Sequence, residues 1–168
     1  MLLALGASKI LVNDTLRPIA LQSMPNIEWV DKEEIYKAAD VISLHIPLSD
    51  GTRNMIRYDH MKKMKTDAIL INTSRGGIIN ELDLIRILDE GHFSGVAVDV
   101  FEEEPYYGDL RNFERCLLTS HMGSMSIDCR ARMEIEATEE VVRFFLNQPL
   151  RGLVPSDEYE IQSQKAKS

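Results

Sequence analysis

Residues 68–77 read Ala68-Ile69-Leu70-Ile71-Asn72-Thr73-Ser74-Arg75-Gly76-Gly77, an apolar run, Ala68–Asn72 (AILIN), that passes straight into a polar loop closed by two glycines. Dense apolar runs of this length are the kind a parallel sheet buries on both faces. The same grammar repeats on either side. Upstream, Lys9–Asn13 (KILVN), the short Ile27–Val30 (IEWV) and Val41–Ile46 (VISLHI) read as strands; downstream, Gly95–Val100 (GVAVDV) and Cys116–Thr119 (CLLT) do so. Helical patterns lie between them. Asp31 and Glu34 have the spacing of a capping box and start a helix that runs through Ala39. Asn80 opens another, with Leu84, Ile85 and Leu88 on one stripe and Gly91 as its stop. From about Ser126 to Asn147 a long helix places Met133, Ala137, Val141 and Phe144 at helical spacing, and Pro149 ends it. Strands alternating with helices predict an α/β fold with a parallel sheet, followed by a polar tail over 155–168.

Composition narrows the class of partner. The chain has 168 residues, 44% hydrophobic and 27% charged, which suits one globular domain that needs no staples. A net charge of −8 argues against a nucleic-acid or anionic-membrane surface, while leaving room for a local basic pocket. Cys116 and Cys129 have no His or Cys neighbour at metal-ligand spacing, which predicts free thiols in a reducing cytosol and no metal site. The apolar opening Met1–Leu5 is too short for a signal peptide or a membrane span, and no later run approaches that length. The expectation is a cytoplasmic protein.

In open parallel sheets ligands bind beyond the carboxyl ends of the strands, so the strand exits matter most. They read Asp14, His45-Ile46-Pro47, Thr73-Ser74-Arg75-Gly76-Gly77, Asp99 and Ser120-His121-Met122-Gly123. Asp14 can accept bonds from both hydroxyls of an adenosine ribose and would repel a 2′-phosphate; it serves equally as an Asx-turn residue ahead of Pro18. Arg75 can clamp a carboxylate with two parallel bonds, and Gly76-Gly77 would let the backbone pass close to a ligand. Hydride transfer from an alcohol carbon leaves a hydroxyl proton, which a histidine such as His121 can accept or return. Alone, a histidine after a strand is more often structural. Glu102 and Glu103 read as a solvated charge run, whereas Glu104, before Pro105, can turn toward His121, fix the ring tautomer and favour the imidazolium.

Taken in order, Lys9–Asp14 (KILVND), Val41–Leu48 (VISLHIPL), Leu70–Glu81 (LINTSRGGIINE), Val96–Pro105 (VAVDVFEEEP) and Ser120–Gly123 (SHMG) resemble the D-isomer-specific 2-hydroxyacid dehydrogenases. The resemblance covers Leu2–Val154 and implies a Rossmann-like, doubly wound parallel sheet, here incomplete, forming part of an NAD-binding domain over residues 1–154. It implies that Arg75 binds the carboxylate and carbonyl oxygen of a small 2-hydroxy or 2-oxo acid, that His121 is the acid/base, and that Glu104 is its partner. It places Asp99 at the nicotinamide carboxamide and Asp14 at the adenosine ribose, with His45, Pro47, Thr52, Thr73, Ser74 and Gly123 along the cofactor cleft. It also implies a homodimer. Ser120 and Ser124 replace the flanking residues usual in that family, which predicts altered pocket polarity rather than lost acid/base chemistry.

The sequence departs from the family in what it lacks: a first strand and the G-x-G-x-x-G turn, with Gly6 reading as the C′ residue of the helix that follows them. The expectation is a fragment or truncated product, its sheet incomplete between Lys9–Asn13 and Val41–Ile46, without turnover on its own. There the structure should have a gap, direct pairing of the two strands, or a strand from another chain. Two other readings remain at this stage. C-terminal-binding-protein corepressors look similar over this domain and use NAD to control assembly, and an inert truncated product can persist as a dimerisation partner.

Overall fold

Every predicted strand forms, shortened at its ends. The computed structural model describes residues 2–22 and 24–153, and the predicted polar tail from Pro155 lies outside them. In chain order the elements are β1 (Ile10–Val12), α1 (Ile19–Gln22), β2 (Ile27–Trp29), α2 (Lys32–Ala38), β3 (Val41–Leu44), α3 (Tyr58–Met61), β4 (Ile69–Asn72), α4 (Glu81–Asp89), β5 (Gly95–Val98), β6 (Cys116–Leu118) and α5 (Ile127–Phe145). Short 3-10 turns lie at Leu2–Leu5 and Asp109–Asn112. The chain divides into two units, residues 1–123 and 124–168.

Within the first unit all strand pairs are parallel. β3, β4, β5 and β6 form one sheet in that order, and β1 pairs with β2 in another. Among the described residues no strand pairing joins β1 to β3, so the two strands do not pair directly. The register of the larger sheet decides where chemistry can occur. Leu44, Asn72, Val98 and Leu118 lie side by side, so the four strands end flush and their exit loops start from one row.

Helix termini follow their capping chemistry. Asp31 accepts the Glu34 N–H at 2.9 Å, and Asn80 accepts the Asp83 N–H at 2.9 Å. Gly91, at φ +77°, closes α4: its own N–H returns to Leu88 and that of His92 to Ile87, a Schellman pattern. Gly6, at φ +93°, ends the Leu2–Leu5 turn with the same pair of bonds, as its reading as a C′ residue required. In the second unit Ser126 caps α5 by accepting the Cys129 N–H, and Asn147 at φ +52° stops it. α3 was not anticipated. It lacks a Ser, Thr, Asp or Asn before it; instead the His60 ring accepts the Arg57 N–H at 3.1 Å.

The core lies on one face of the larger sheet. Ile42, Leu44, Leu70, Val96 and Val98 point into it and meet Tyr36 of α2, Met61 of α3 and the Leu84–Ile87–Leu88 stripe of α4. β3 and β4 alternate, and in this chain Val41 and Leu117 on the other face are 55% and 65% exposed. Leu88 is fully buried in this core. Leu88→Ala is expected to destabilise the fold by about 2–5 kcal/mol, read from the shift of the urea-unfolding midpoint at unchanged slope.

Candidate active site

β4 ends on a polar residue that its neighbours have buried. Asn72 is 2% exposed, and its carboxamide is spent on the loop that follows. Its Nδ2 donates to the Arg75 carbonyl at 2.9 Å, while its Oδ1 accepts the Ser74 N–H at 3.2 Å and the Ser74 hydroxyl at 2.9 Å. The turn that carries Arg75 is therefore closed from beneath. Beyond it, Gly76 presses on the loop after β5. A Cβ there would sit 1.9 Å from the Phe101 carbonyl oxygen, an overlap no side chain tolerates. The close approach that calls for this glycine is to the protein's own backbone. Gly77 needs its freedom for a different reason, a φ of +77°. Arg75 itself is exposed, and its Nη1 donates to the Ser74 carbonyl at 2.6 Å.

His121 follows β6 in the left-handed region, at φ +52°. That conformation is uncommon for a residue other than glycine and persists where the surroundings enforce it. Asp99 enforces it. Its carbonyl accepts the His121 N–H at 2.8 Å, and its carboxylate accepts the Met122 N–H at 2.9 and 3.1 Å and the Thr119 hydroxyl. Burial raises the Asp99 pKa, but the bonds from Thr119 and Met122, with His121 and the Gly123 N–H, outweigh it and hold the group below its ordinary 3.8.

Glu104 reaches the ring from the other side. Its Oε2 lies 3.0 Å from His121 Nδ1, and its Oε1 accepts the Phe101 N–H at 3.0 Å. The Phe101 N–H first, and His121 second, keep its carboxyl below the usual 4.5. An ionised Glu104 is acceptor only, so Nδ1 carries the proton and Nε2 is left as the site that can take one. Arg75, Glu104 and His121 line a single cavity of about 360 Å³ with Leu48, Arg53 and Phe101. Three strand ends therefore bring a guanidinium, a carboxylate and an imidazole to one point.

The remaining predicted residues lie along other strand ends. Asp14, exposed after β1, accepts the Leu16 N–H at 2.9 Å and the Thr15 hydroxyl at 3.3 Å, which is an Asx turn. His45 Nε2 lies 2.8 Å from the Ser43 hydroxyl oxygen. The Thr52 hydroxyl donates to the Pro47 carbonyl at 2.7 Å and accepts the Ser49 N–H at 2.7 Å, stapling the 47–52 loop. Thr73 is exposed at the head of the Arg75 turn. Sequence reasoning missed Asn72 and Arg53. An Asn closing an apolar strand ahead of a charged loop was a usable signal for the first; nothing marks Arg53 among the polar residues around it.

A family model for the NAD-binding domain of D-isomer-specific 2-hydroxyacid dehydrogenases matches residues 1–123, which coincide with the first structural unit. The chain belongs to this family. It is 38% identical to a glyoxylate reductase of Thermococcus litoralis over 153 residues, 90% of this chain and 46% of that protein. It is 36% identical to a D-3-phosphoglycerate dehydrogenase of Synechocystis over 126 residues, 74% of this chain and 23% of that protein. A D-lactate dehydrogenase of Aquifex aeolicus, solved with NAD and lactic acid, superposes with a TM-score of 0.78 at 28% identity, over 86% of this chain and 48% of that one. The chain spans about half the length of the glyoxylate reductase it matches. No helix among the described residues is long and apolar enough to cross a membrane.

Two consequences can be measured. Gly76→Ala is expected to cost about 1–3 kcal/mol through the Phe101 clash, seen in chemical denaturation, whereas Gly51→Ala, whose Cβ would meet only the Ser49 hydroxyl at an ordinary 3.9 Å, should cost far less. Asp99 and Glu104 both have depressed pKa values, so each stabilises the fold above its unfolded value and loses that contribution as pH falls through its folded one. Stability should therefore decline below about pH 4.5, and Asp99→Asn with Glu104→Gln should flatten that acid limb in unfolding curves recorded from pH 7 to 3.

Proposed function

We propose that this chain carries the acid/base and carboxylate-binding groups of an oxidoreductase that interconverts a D-2-hydroxy acid and its 2-oxo acid with NAD. The observation that carries the reading is the 3.0 Å contact of Glu104 with His121 in the cavity that Arg75 also lines. The reading treats residues 1–154 as part of the NAD-binding domain and 155–168 as a tail.

The donor set suits the cofactor where the strand ends face it. Asp14 keeps one carboxylate oxygen clear of its Asx turn for a ribose hydroxyl, and the exposed His45, Pro47 and Thr73 follow β3 and β4. Ser74, Thr52, Asp99 and Gly123 shape the loops among them; Asp99 also has a buried, ionised carboxylate beside the site where a carboxamide would be read. NAD, when bound, supplies the ring that accepts or gives the hydride.

The chain's own residues do the rest. Arg75 holds the substrate carboxylate by paired, charge-assisted bonds and fixes which face of C2 is presented. His121 Nε2 takes the proton of the C2 hydroxyl in oxidation and returns it to the oxygen in reduction. Glu104 keeps Nδ1 protonated and stabilises the imidazolium once Nε2 has the proton. The left-handed turn at His121 is set by Asp99 before any ligand arrives, so little reorganisation is needed. The substrate class is a small 2-hydroxy or 2-oxo acid, as in the glyoxylate and D-lactate enzymes to which the chain is similar. A cytoplasmic homodimer fits two free cysteines and the family resemblance.

In a full-length enzyme carrying these residues, His121→Ala should lower kcat for 2-oxo acid reduction by at least about a hundredfold while the NAD dissociation constant stays within about twofold. Loss of NAD binding together with turnover would assign His121 a structural role instead.

A further inference from the structure

Glu104 sits on a loop, residues 101–104, that belongs to no helix or strand, yet the site needs it at a fixed distance from His121. The loop is held from outside at two points. One is the backbone contact of Gly76 with the Phe101 carbonyl. The other comes from α4, where Glu81 Oε1 accepts the Glu102 N–H at 2.8 Å. Glu81 is the first residue of that helix, and its place is set independently by the Asn80 cap and the buried Leu84–Ile87–Leu88 stripe. The amides of Phe101 and Glu102, adjacent in sequence, are thus each bound by a carboxylate, the first by Glu104 and the second by Glu81.

An acidic residue in a first helical turn ordinarily serves the helix dipole from solvent. Glu81 is instead half-buried, close to the like charges of Glu102 and Glu103. Burial chiefly, and those charges in addition, hold its pKa above the ordinary 4.5 despite the bond from Glu102. A side chain kept in such a place is committed to the amide it binds.

We propose that Glu81 is a positioning residue for the acid/base pair: by holding the Glu102 amide it keeps the 101–104 turn closed and Glu104 against His121. The functional meaning rests on the reading of Glu104 and His121 given above; the geometric claim stands on this chain alone.

The test follows the Glu104 carboxyl by carbon-13 NMR titration in the whole 168-residue chain. The charged groups that face Glu104 are His121 and Asp99, with Arg53, Arg75 and Glu102 around the cavity. Deleting the Glu81 charge by itself removes a repulsion, which lowers the Glu104 pKa or leaves it unchanged. Opening the turn does the opposite, because the Phe101 N–H and His121 withdraw. The two causes have opposite signs.

Glu81→Ala is expected to raise the Glu104 titration toward its ordinary value and to speed exchange of the Phe101 and Glu102 amides by roughly two- to tenfold, the weight of one hydrogen bond. Glu81→Gln, whose amide oxygen still accepts the Glu102 N–H, should leave both near wild type. Should Glu81→Ala not fold, Glu81→Asp, one methylene too short to reach, takes its place. An unmoved or lowered Glu104 titration in the Ala or Asp variant overturns the proposal, as does an equal rise in Glu81→Gln. None of these readouts needs turnover. A shifted Glu104 in a protein whose full-length form acts on no 2-oxo acid would refute the enzymatic reading and leave the role of Glu81 standing.

Discussion

Two loops share the space at the end of the sheet because one residue between them has no side chain. The turn after β4 and the turn after β5 meet where Gly76 lies on the Phe101 carbonyl, and a single methyl group there would push them apart. One turn carries the guanidinium and the other the carboxylate that orients the imidazole. Parallel pairing aligns the strand ends, but alignment alone leaves loops free to splay. The backbone contact removes that freedom, and the Asn72 carboxamide removes what remains on the Arg75 side. The cavity is thus assembled by main-chain packing, with Arg75, Glu104 and His121 mounted on it.

The second constraint is electrostatic and acts on His121. Its backbone conformation is unfavourable for a residue with a Cβ, and one buried carboxylate offsets that by binding the next amide and the preceding hydroxyl. The same carboxylate and Glu104 place two negative charges about the imidazole, one below the turn and one at Nδ1.

Much of this could be read from the residues, because the signals were local. Capping at Asp31 and Asn80, and stops at Gly6 and Gly91, depend on a few consecutive side chains, and all four mark an end where predicted, Asp31 through its own carboxylate. Strand positions followed from apolar runs, and the convergence of Arg75, Glu104 and His121 followed from the rule that parallel strands present their exits together. What escaped was relational. α3 starts without a capping residue and relies on a histidine ring three positions on. The demand for Gly76 was legible, yet its cause, a carbonyl 25 residues away, was not. Arg53 enters the cavity through a loop fold that no local pattern announces.

The division of the first unit into two separate ladders has a bearing on how the molecule can vary. Asp14 follows β1, while Arg75, Glu104 and His121 follow strands of the larger sheet, and among the described residues no strand hydrogen bond crosses from one ladder to the other. Substitutions that share no contact tend to act additively. Changes beside Asp14 should therefore combine additively with changes at the Arg75, Glu104 and His121 cavity, so that the two ends of the unit can vary as separate parts.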